Sequence, residues 1–450
     1  MCGAIMDANS RLDDCAMNST RRNLLFVAAI LGMGAALPAQ TPRPRAVWIE
    51  FPKMGESLAR IEENSEATLP ETEALARLQM VSIHLGRQPQ DLAGSSIGIR
   101  VNAEAANVVM TQRNLEEGIV CDIPLTQNPT VALHGGGNAI EVFYRDRWNQ
   151  PHYSVFLLDS FTRNPKPTPP EFSTPMSSGR HFALLVGISL YHAQGETLPP
   201  LAYAGSDAKA FRDFLLTPQG GSYKQENVKL LLNEEATLDN LRAALKDLAR
   251  TMSPQDSLLI YLNLHGGYDS NNPEHKYLLT YDSDLHALAA SALPVEELPA
   301  WLASYAKTRH IALFADVCHT AKIGDGLPPR SKPANLINTY LYHAFEKHDL
   351  ASVEAGEGGQ ISQEGSRWGE HGVFTYFLLK GLAGEADGTL SEGRQGKLDG
   401  KVTTAELFFY VQKNVQQATG KKQYPLISLS AGGVFDLARP AAGAASPAPR

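Results

Sequence analysis

Polarity alternates residue by residue in several short runs through the first third of the chain. In Val81-Ser-Ile-His-Leu85, Ile97-Gly-Ile-Arg-Val101, Ala139-Ile-Glu-Val-Phe-Tyr144 and Tyr153-Ser-Val-Phe-Leu-Leu158, every second side chain falls on one face. That period predicts strands with one side against a core. Turn clusters at Gly135-Gly-Gly-Asn138 and Trp148-Asn-Gln-Pro151 separate the runs, so residues 46–159 are expected to form a small antiparallel β-sandwich.

The rhythm changes after residue 180. Phe182-Ala-Leu-Leu-Val-Gly-Ile188 is continuously apolar, as expected of a strand covered on both faces. Ser206–Leu216 then has helical spacing, Val228–Leu232 reads as a strand, and Leu238–Leu248 as an amphipathic helix behind the N-cap candidate Thr237. Strands at Ser257–Asn263 and Ile311–Ala315 flank a helix at Val295–Tyr305. Strands alternating with helices predict an α/β domain over 181–435, a mostly parallel sheet flanked by helices.

Residues 160–180 carry five prolines and few aliphatics, the composition of an extended linker, and 436–450 is an Ala/Pro-rich segment expected to be a disordered tail. Arg21-Arg22 followed by the apolar run Leu24–Leu37 and small residues up to Ala39 has the form of a leader over 1–39. Thr20–Leu25 resembles a twin-arginine export signal, with Met17 as the expected true start and a periplasmic or secreted destination. No other segment reaches 18 consecutive apolar residues, so no stable membrane span is expected after leader removal. A formal charge of −8 argues against nucleic acid as a partner. The four cysteines show no CxxC pair, and leader removal discards Cys2 and Cys15. Cys121 sits in the strand-like run Gly118–Leu125 and is expected in the core.

Two apolar strands end in reactive side chains: Leu259-Ile-Tyr-Leu-Asn-Leu-His265-Gly266 and Ile311-Ala-Leu-Phe-Ala-Asp316-Val-Cys318-His319. Only a thiolate is a good nucleophile, and a nearby imidazole can take the thiol proton and return it to a leaving amine. Backbone N–H groups beside the pair can stabilise an oxyanion. Cys318 follows His265 by 53 residues, a separation of the order already known for caspases.

Residues 180–433 resemble a caspase-like cysteine peptidase of the clan that holds caspases, metacaspases and paracaspases. The resemblance is carried by Phe182–Ile188, Ala204-Gly-Ser-Asp207-Ala208, His265-Gly266, Asp316-Val-Cys318-His319, His371–Leu382 and Asp399–Leu407. The strand rhythm of 46–159 is similar to bacterial immunoglobulin-like modules. The resemblance implies Cys318 as nucleophile, His265 as general base and acid, and the N–H groups of Gly266 and Cys318 as the oxyanion hole. Asp316 and Asp207 match acidic pocket positions, which implies cleavage after Arg or Lys in a protein or peptide substrate. Leu264 stands where the family usually has Gly, and Thr320-Ala321 where it has Ser-Gly, so added bulk is expected beside the site.

His319 is expected to serve a structural or pocket-wall role. Asp282, Glu296, Glu297 and Asp325 fall near calcium positions of some metacaspases; Ca2+ is an accessory there, and no cofactor is required. Asp399-Gly400 and Glu406 read as a turn and helix start in preference to a calcium loop. Trp301, Phe374, Tyr376 and Phe377 read as core residues. Lys322–Gly369 reads as a long polar loop, and self-cleavage is expected after Arg330 or Lys332, or after Arg163, Lys166 or Arg180. The expected function is a cysteine endopeptidase. The alternatives are a catalytically silent scaffold whose sandwich binds an unknown ligand, and a peptidase with acidic specificity.

Overall fold

The computed structural model describes residues 47–52, 58–62, 66–69, 80–93, 97–114, 118–127, 136–160, 179–192, 198–269, 272–319, 336–356, 360, 362–389, 398–430 and 433–439. The leader-like segment, nearly all of the Pro-rich stretch and residues 440–450 lie outside them. Residues 45–450 form one compact unit.

Alternating strands build the first half of that unit. β1 (Val47–Pro52), β2 (Leu58–Glu62), β4 (Met80–Leu85), β7 (Val109–Asn114) and β8 (Gly118–Pro124) form one sheet in the order β2-β1-β4-β8-β7. β3 (Glu66–Leu69), β5 (Gly98–Val101), β6 (Glu104–Ala105), β9 (Gly136–Arg145) and β10 (Pro151–Ser160) form the other, in the order β3-β10-β9-β5-β6. All neighbours are antiparallel except β3 and β10. Val81, Ile83 and Leu85 of one sheet meet Ile140, Val142 and Phe156 of the other in a shared core. This is the sandwich that period-two alternation predicts. Cys121 is fully buried in it, and burial pushes its thiol up to about 12. Gly136–Asn138, expected in a turn, open β9 instead: buried Asn138 accepts from Asn102 Nδ2, in the turn after β5, at 2.9 Å, a bond that chain-local reasoning misses.

The second half is a sheet with helices on both faces. Its main order is β12 (Val228–Leu232), β11 (His181–Gly187), β13 (Ser257–Asp269), β16 (His310–His319), β17 (Ala351–Glu354) and the strand Leu426–Ser428. Every neighbour pair in that order is parallel except the last. β14 (Asn272–Leu278) runs back along the extension of β13, and β15 (Leu293–Pro294) pairs with β14. One face is covered by α2 (Leu238–Thr251), α4 (Glu297–Tyr305) and α5 (Leu336–Lys347), through Leu241, Leu245, Leu298, Leu302, Ile337 and Leu341. The other is covered by α1 (Ala204–Leu215), α6 (Val373–Lys380) and α7 (Thr404–Ala418), through Phe211, Phe374, Phe408 and Val411. A short α3 (Leu288–Ser291) precedes α4. No described helix is long and apolar enough to cross a membrane.

Local chemistry sets the helix starts. Thr237 Oγ1 accepts from Asn240 N (3.2 Å) at the head of α2, as its N-cap position predicts. Thr403 and Glu406 form a reciprocal capping box at α7, while Asp387 accepts from the N–H groups of Asp399 (3.2 Å) and Gly400 (3.0 Å). Asp399–Glu406 is thus a turn and a helix start. The expected polar loop 322–369 is corrected by α5 and β17, which lie within it. Asp436–Ala438, placed at the head of a disordered tail, form a buried strand pairing with Val402–Thr403.

Phe314 sits at the centre of the second face, its ring 5.9 Å from Phe211 and 5.4 Å from Phe408, both edge-on. Phe314→Ala is expected to lose about 3–5 kcal/mol in a denaturant titration followed by circular dichroism, the range for emptying an aromatic core site.

Candidate active site

Register, more than any single side chain, builds the site. β13 and β16 run parallel with Asn263 opposite Asp316, Leu264 opposite Val317 and His265 opposite Cys318. Paired strands lie about 4.8 Å apart, so partners in register carry their side chains side by side on one face. His265 and Cys318 therefore share a face with Asn263 and Asp316. Leu264 and Val317 point the other way, into the core under α2, α4 and α5. The bulk expected from Leu264 is thus absent from the cleft: alternation sends it to the opposite side of the sheet.

His265 is held on three sides. Its N–H donates to Tyr191 Oη (2.7 Å), its ring stacks on Tyr191 at 5.3 Å, and its Nε2 lies 2.8 Å from the Pro199 carbonyl. A carbonyl only accepts, so Nε2 carries the proton and Nδ1 keeps its lone pair. Nδ1 is buried without a hydrogen-bond partner. Burial pulls the imidazole below its ordinary pKa, against the opposing pull of the Pro199 and Cys318 backbone carbonyls, and favours the neutral ring. Cys318 keeps part of its surface open. Enclosure raises its thiol pKa, and the negative charges of Asp316 and Glu364 raise it further. The resting pair is a neutral thiol beside a neutral imidazole. Tyr191 and Pro199 escape sequence reasoning because neither type carries reactive chemistry.

Gly266 has a packing reason to lack a side chain. A Cβ there would stand 2.6 Å from Ile337 Cγ1 of α5.

Asp207, from the first turn of α1, and Asp316, from β16, converge on Gly372. A Cβ on Gly372 would lie 3.3 Å from Asp207 Oδ2 and 3.4 Å from Asp316 Oδ2. Asp207 accepts from the Gly372 N–H (3.1 Å), and its Oδ1 lies 2.5 Å from His371 Nδ1. Ser362 Oγ donates to Asp316 Oδ1 (2.6 Å). Burial pushes Asp316 up to about 7; the Ser362 bond opposes this, and the charges of Asp207 and Glu364 reinforce it. His371, Ser362 and Glu364 join this acidic pocket, though residue type and spacing do not single them out. The one sequence signal is the adjacency of His371 to a glycine at a helix start.

The three described members of the calcium set have other partners or face solvent. Asp282 Oδ1 accepts from the Leu238 N–H (3.0 Å) and Thr280 Oγ1 (2.9 Å), Glu297 pairs with Arg242 through both oxygens, and Glu296 is exposed. Among the described residues no group of three His, Cys, Asp or Glu could hold a metal ion. Asp325 lies outside them, as do Thr320, Ala321, Arg330, Lys332, Arg163, Lys166 and the side chain of His319. Arg180 is a poor self-cleavage point: its N–H and guanidinium bind Asp256 at 2.7 and 2.8 Å where the chain enters β11. Phe374 is buried, and Trp301, Tyr376 and Phe377 are partly buried against the two cores.

Asp316 binds its proton more tightly in the folded chain than in the unfolded one, so it lowers stability as pH rises from 3.8 to about 7. Asp316→Asn removes that loss. Its melting temperature, relative to wild type, is expected to climb across this window; a difference independent of pH would contradict the buried, under-compensated acid.

A family model described as the caspase domain matches residues 180–433. No curated protein matches the chain. A crystal structure of a Geobacter sulfurreducens protein is similar at 17% identity and a TM-score of 0.37, over 56% of this chain and 93% of that one. The structure of pro-sf-caspase-1 is similar at 12% identity and a TM-score of 0.34, over 59% of this chain and 96% of that one.

Proposed function

The chain belongs to the caspase-domain family, and from that premise we propose that it is a cysteine endopeptidase cutting after arginine or lysine. The observation that carries this reading is the pairing of His265 with Cys318 in register, with Nε2 occupied by the Pro199 carbonyl and Nδ1 left over. As Cys318 Sγ attacks the scissile carbonyl, its proton passes to His265 Nδ1. Backbone N–H groups of Gly266 and Cys318 take the oxyanion. His265 then protonates the departing amine, and water, deprotonated by the same nitrogen, hydrolyses the thioester and frees the thiol. A neutral pair at rest makes His265 a base during attack, in contrast to a preformed ion pair. The acid limb of kcat should therefore fall below the ordinary histidine range.

Basic specificity draws on Asp316. Both Asp207 oxygens already have partners, while Asp316 Oδ2 faces Gly372, where no side chain intervenes. A substrate guanidinium or ammonium at that oxygen would draw the carboxyl into its charged form.

Fluorogenic peptides ending in Arg, Lys or Asp test the reading on the full chain. Turnover is expected on Arg and Lys, absent in Cys318→Ala and about 10²–10⁴-fold lower in His265→Ala. Asp316→Asn should lower kcat/KM on Arg about 10–100-fold. No Cys318-dependent turnover on any peptide would sink the peptidase reading, and preference for Asp would sink the basic specificity alone.

A further inference from the structure

An ion pair with almost no solvent exposure joins the two halves of the molecule. The Lys276 side chain is 0% exposed and that of Glu141 is 1% exposed. Stripping two charges of water is unfavourable unless their remaining valences are met. Here they are met. Lys276 Nζ donates to Glu141 Oε2 (2.7 Å) and lies 4.7–5.2 Å from the ring centres of Tyr153, Tyr268 and Tyr340. Tyr153 Oη donates to the same carboxylate oxygen (2.5 Å), and Tyr340 Oη donates to Oε1 (2.7 Å). Burial alone would raise Glu141, but Lys276 and the three hydrogen bonds hold it below the usual carboxylate range. Arg100 of β5 adds a second tie, donating to Tyr340 Oη and the Glu274 carbonyl, each at 3.0 Å.

The placement of these partners is the informative part. Glu141 and Tyr153 belong to the sandwich, Lys276 to β14 and Tyr340 to α5. β14 lies along the histidine: Leu278 pairs with Gly266, and the Leu279 N–H donates to the His265 carbonyl at 2.9 Å. α5 lies along the cysteine. Three residues before Tyr340, Ile337 fills the space at Gly266; two residues before it, Asn338 Oδ1 accepts from the Val317 N–H at 3.2 Å. One carboxylate therefore bonds to both elements that brace the reactive pair. Ala139, two residues from Glu141 on β9, is part of the second domain's own apolar core.

We propose that Glu141 is a positioning residue for the Cys318–His265 pair, acting through Lys276 on β14 and Tyr340 on α5, which makes the sandwich a working part of the catalytic unit. For its activity readout the proposal rests on the peptidase reading; for its thiol readout it does not.

The test uses the full chain with Glu141→Gln, Tyr340→Phe and the double variant Glu141→Gln/Lys276→Met, which leaves no unpaired buried charge. Iodoacetamide labelling with peptide mass mapping gives separate rates for Cys318 and for Cys121, whose burial reports on folding. With Cys121 still protected, the Cys318 rate is expected to change at least about threefold, and kcat to fall about 10–100-fold with KM nearly constant. If Glu141→Gln exposes Cys121, the double variant and Tyr340→Phe decide the question. Wild-type Cys318 rates in variants that keep Cys121 protected would overturn the proposal. Absence of turnover in wild type itself would overturn the peptidase reading while leaving the labelling result to decide this one.

Discussion

The parallel pairing of β13 with β16 is the constraint on which the rest depends. A one-residue slip between these strands would set His265 against Val317 or His319 and turn one partner to the other face of the sheet. Everything that surrounds the strands serves to prevent that slip. Apolar residues at alternate positions seal both faces, Ile337 fits against a position that tolerates no Cβ, and Asn338 holds the N–H of the residue before Cys318. The pairing of His265 with Cys318 is a by-product of a register enforced by packing.

Two buried acids illustrate opposite uses of the same physics. Glu141 is surrounded by donors that meet both of its oxygens, so its charge is stabilised and its position is fixed. Asp316 receives one hydroxyl and faces other acids, so burial suppresses its charge. A saturated carboxylate braces structure. An unsaturated one lowers stability once it ionises.

Much of this is legible in the sequence. Continuous apolar runs mark the central strands, and His265 and Cys318 stand out because each ends such a run. What stays hidden has no local signature. α5 carries Asn338, Thr339, Tyr340 and Tyr342 in a helix buried on several sides, so no polar stripe discloses it. Lys276 reads as an ordinary solvated residue because its partners lie 135 and 123 positions away, at Glu141 and Tyr153. Leu264 reads as an obstruction because the strand is expected to stop at Asn263; it runs to Asp269, and alternation then puts Leu264 on the far face. The acidic pocket is half visible: Asp207 and Asp316 are expected together, whereas His371 and Ser362 arrive from a distant part of the chain.

The Glu141 cluster also has a consequence for the order of events during synthesis. The carboxylate leaves the ribosome long before its partners in the second half, since Lys276 follows by 135 residues and Tyr340 by 199. At about 5–20 residues per second, that interval is roughly 10–40 s. Throughout the wait for Tyr340 the sandwich has its own apolar core to close. The bonds from Lys276 and Tyr340 to Glu141 can form only once β14 and α5 have been made. Synthesis order thus makes the brace beside His265 and Cys318 available only after α5 has left the ribosome.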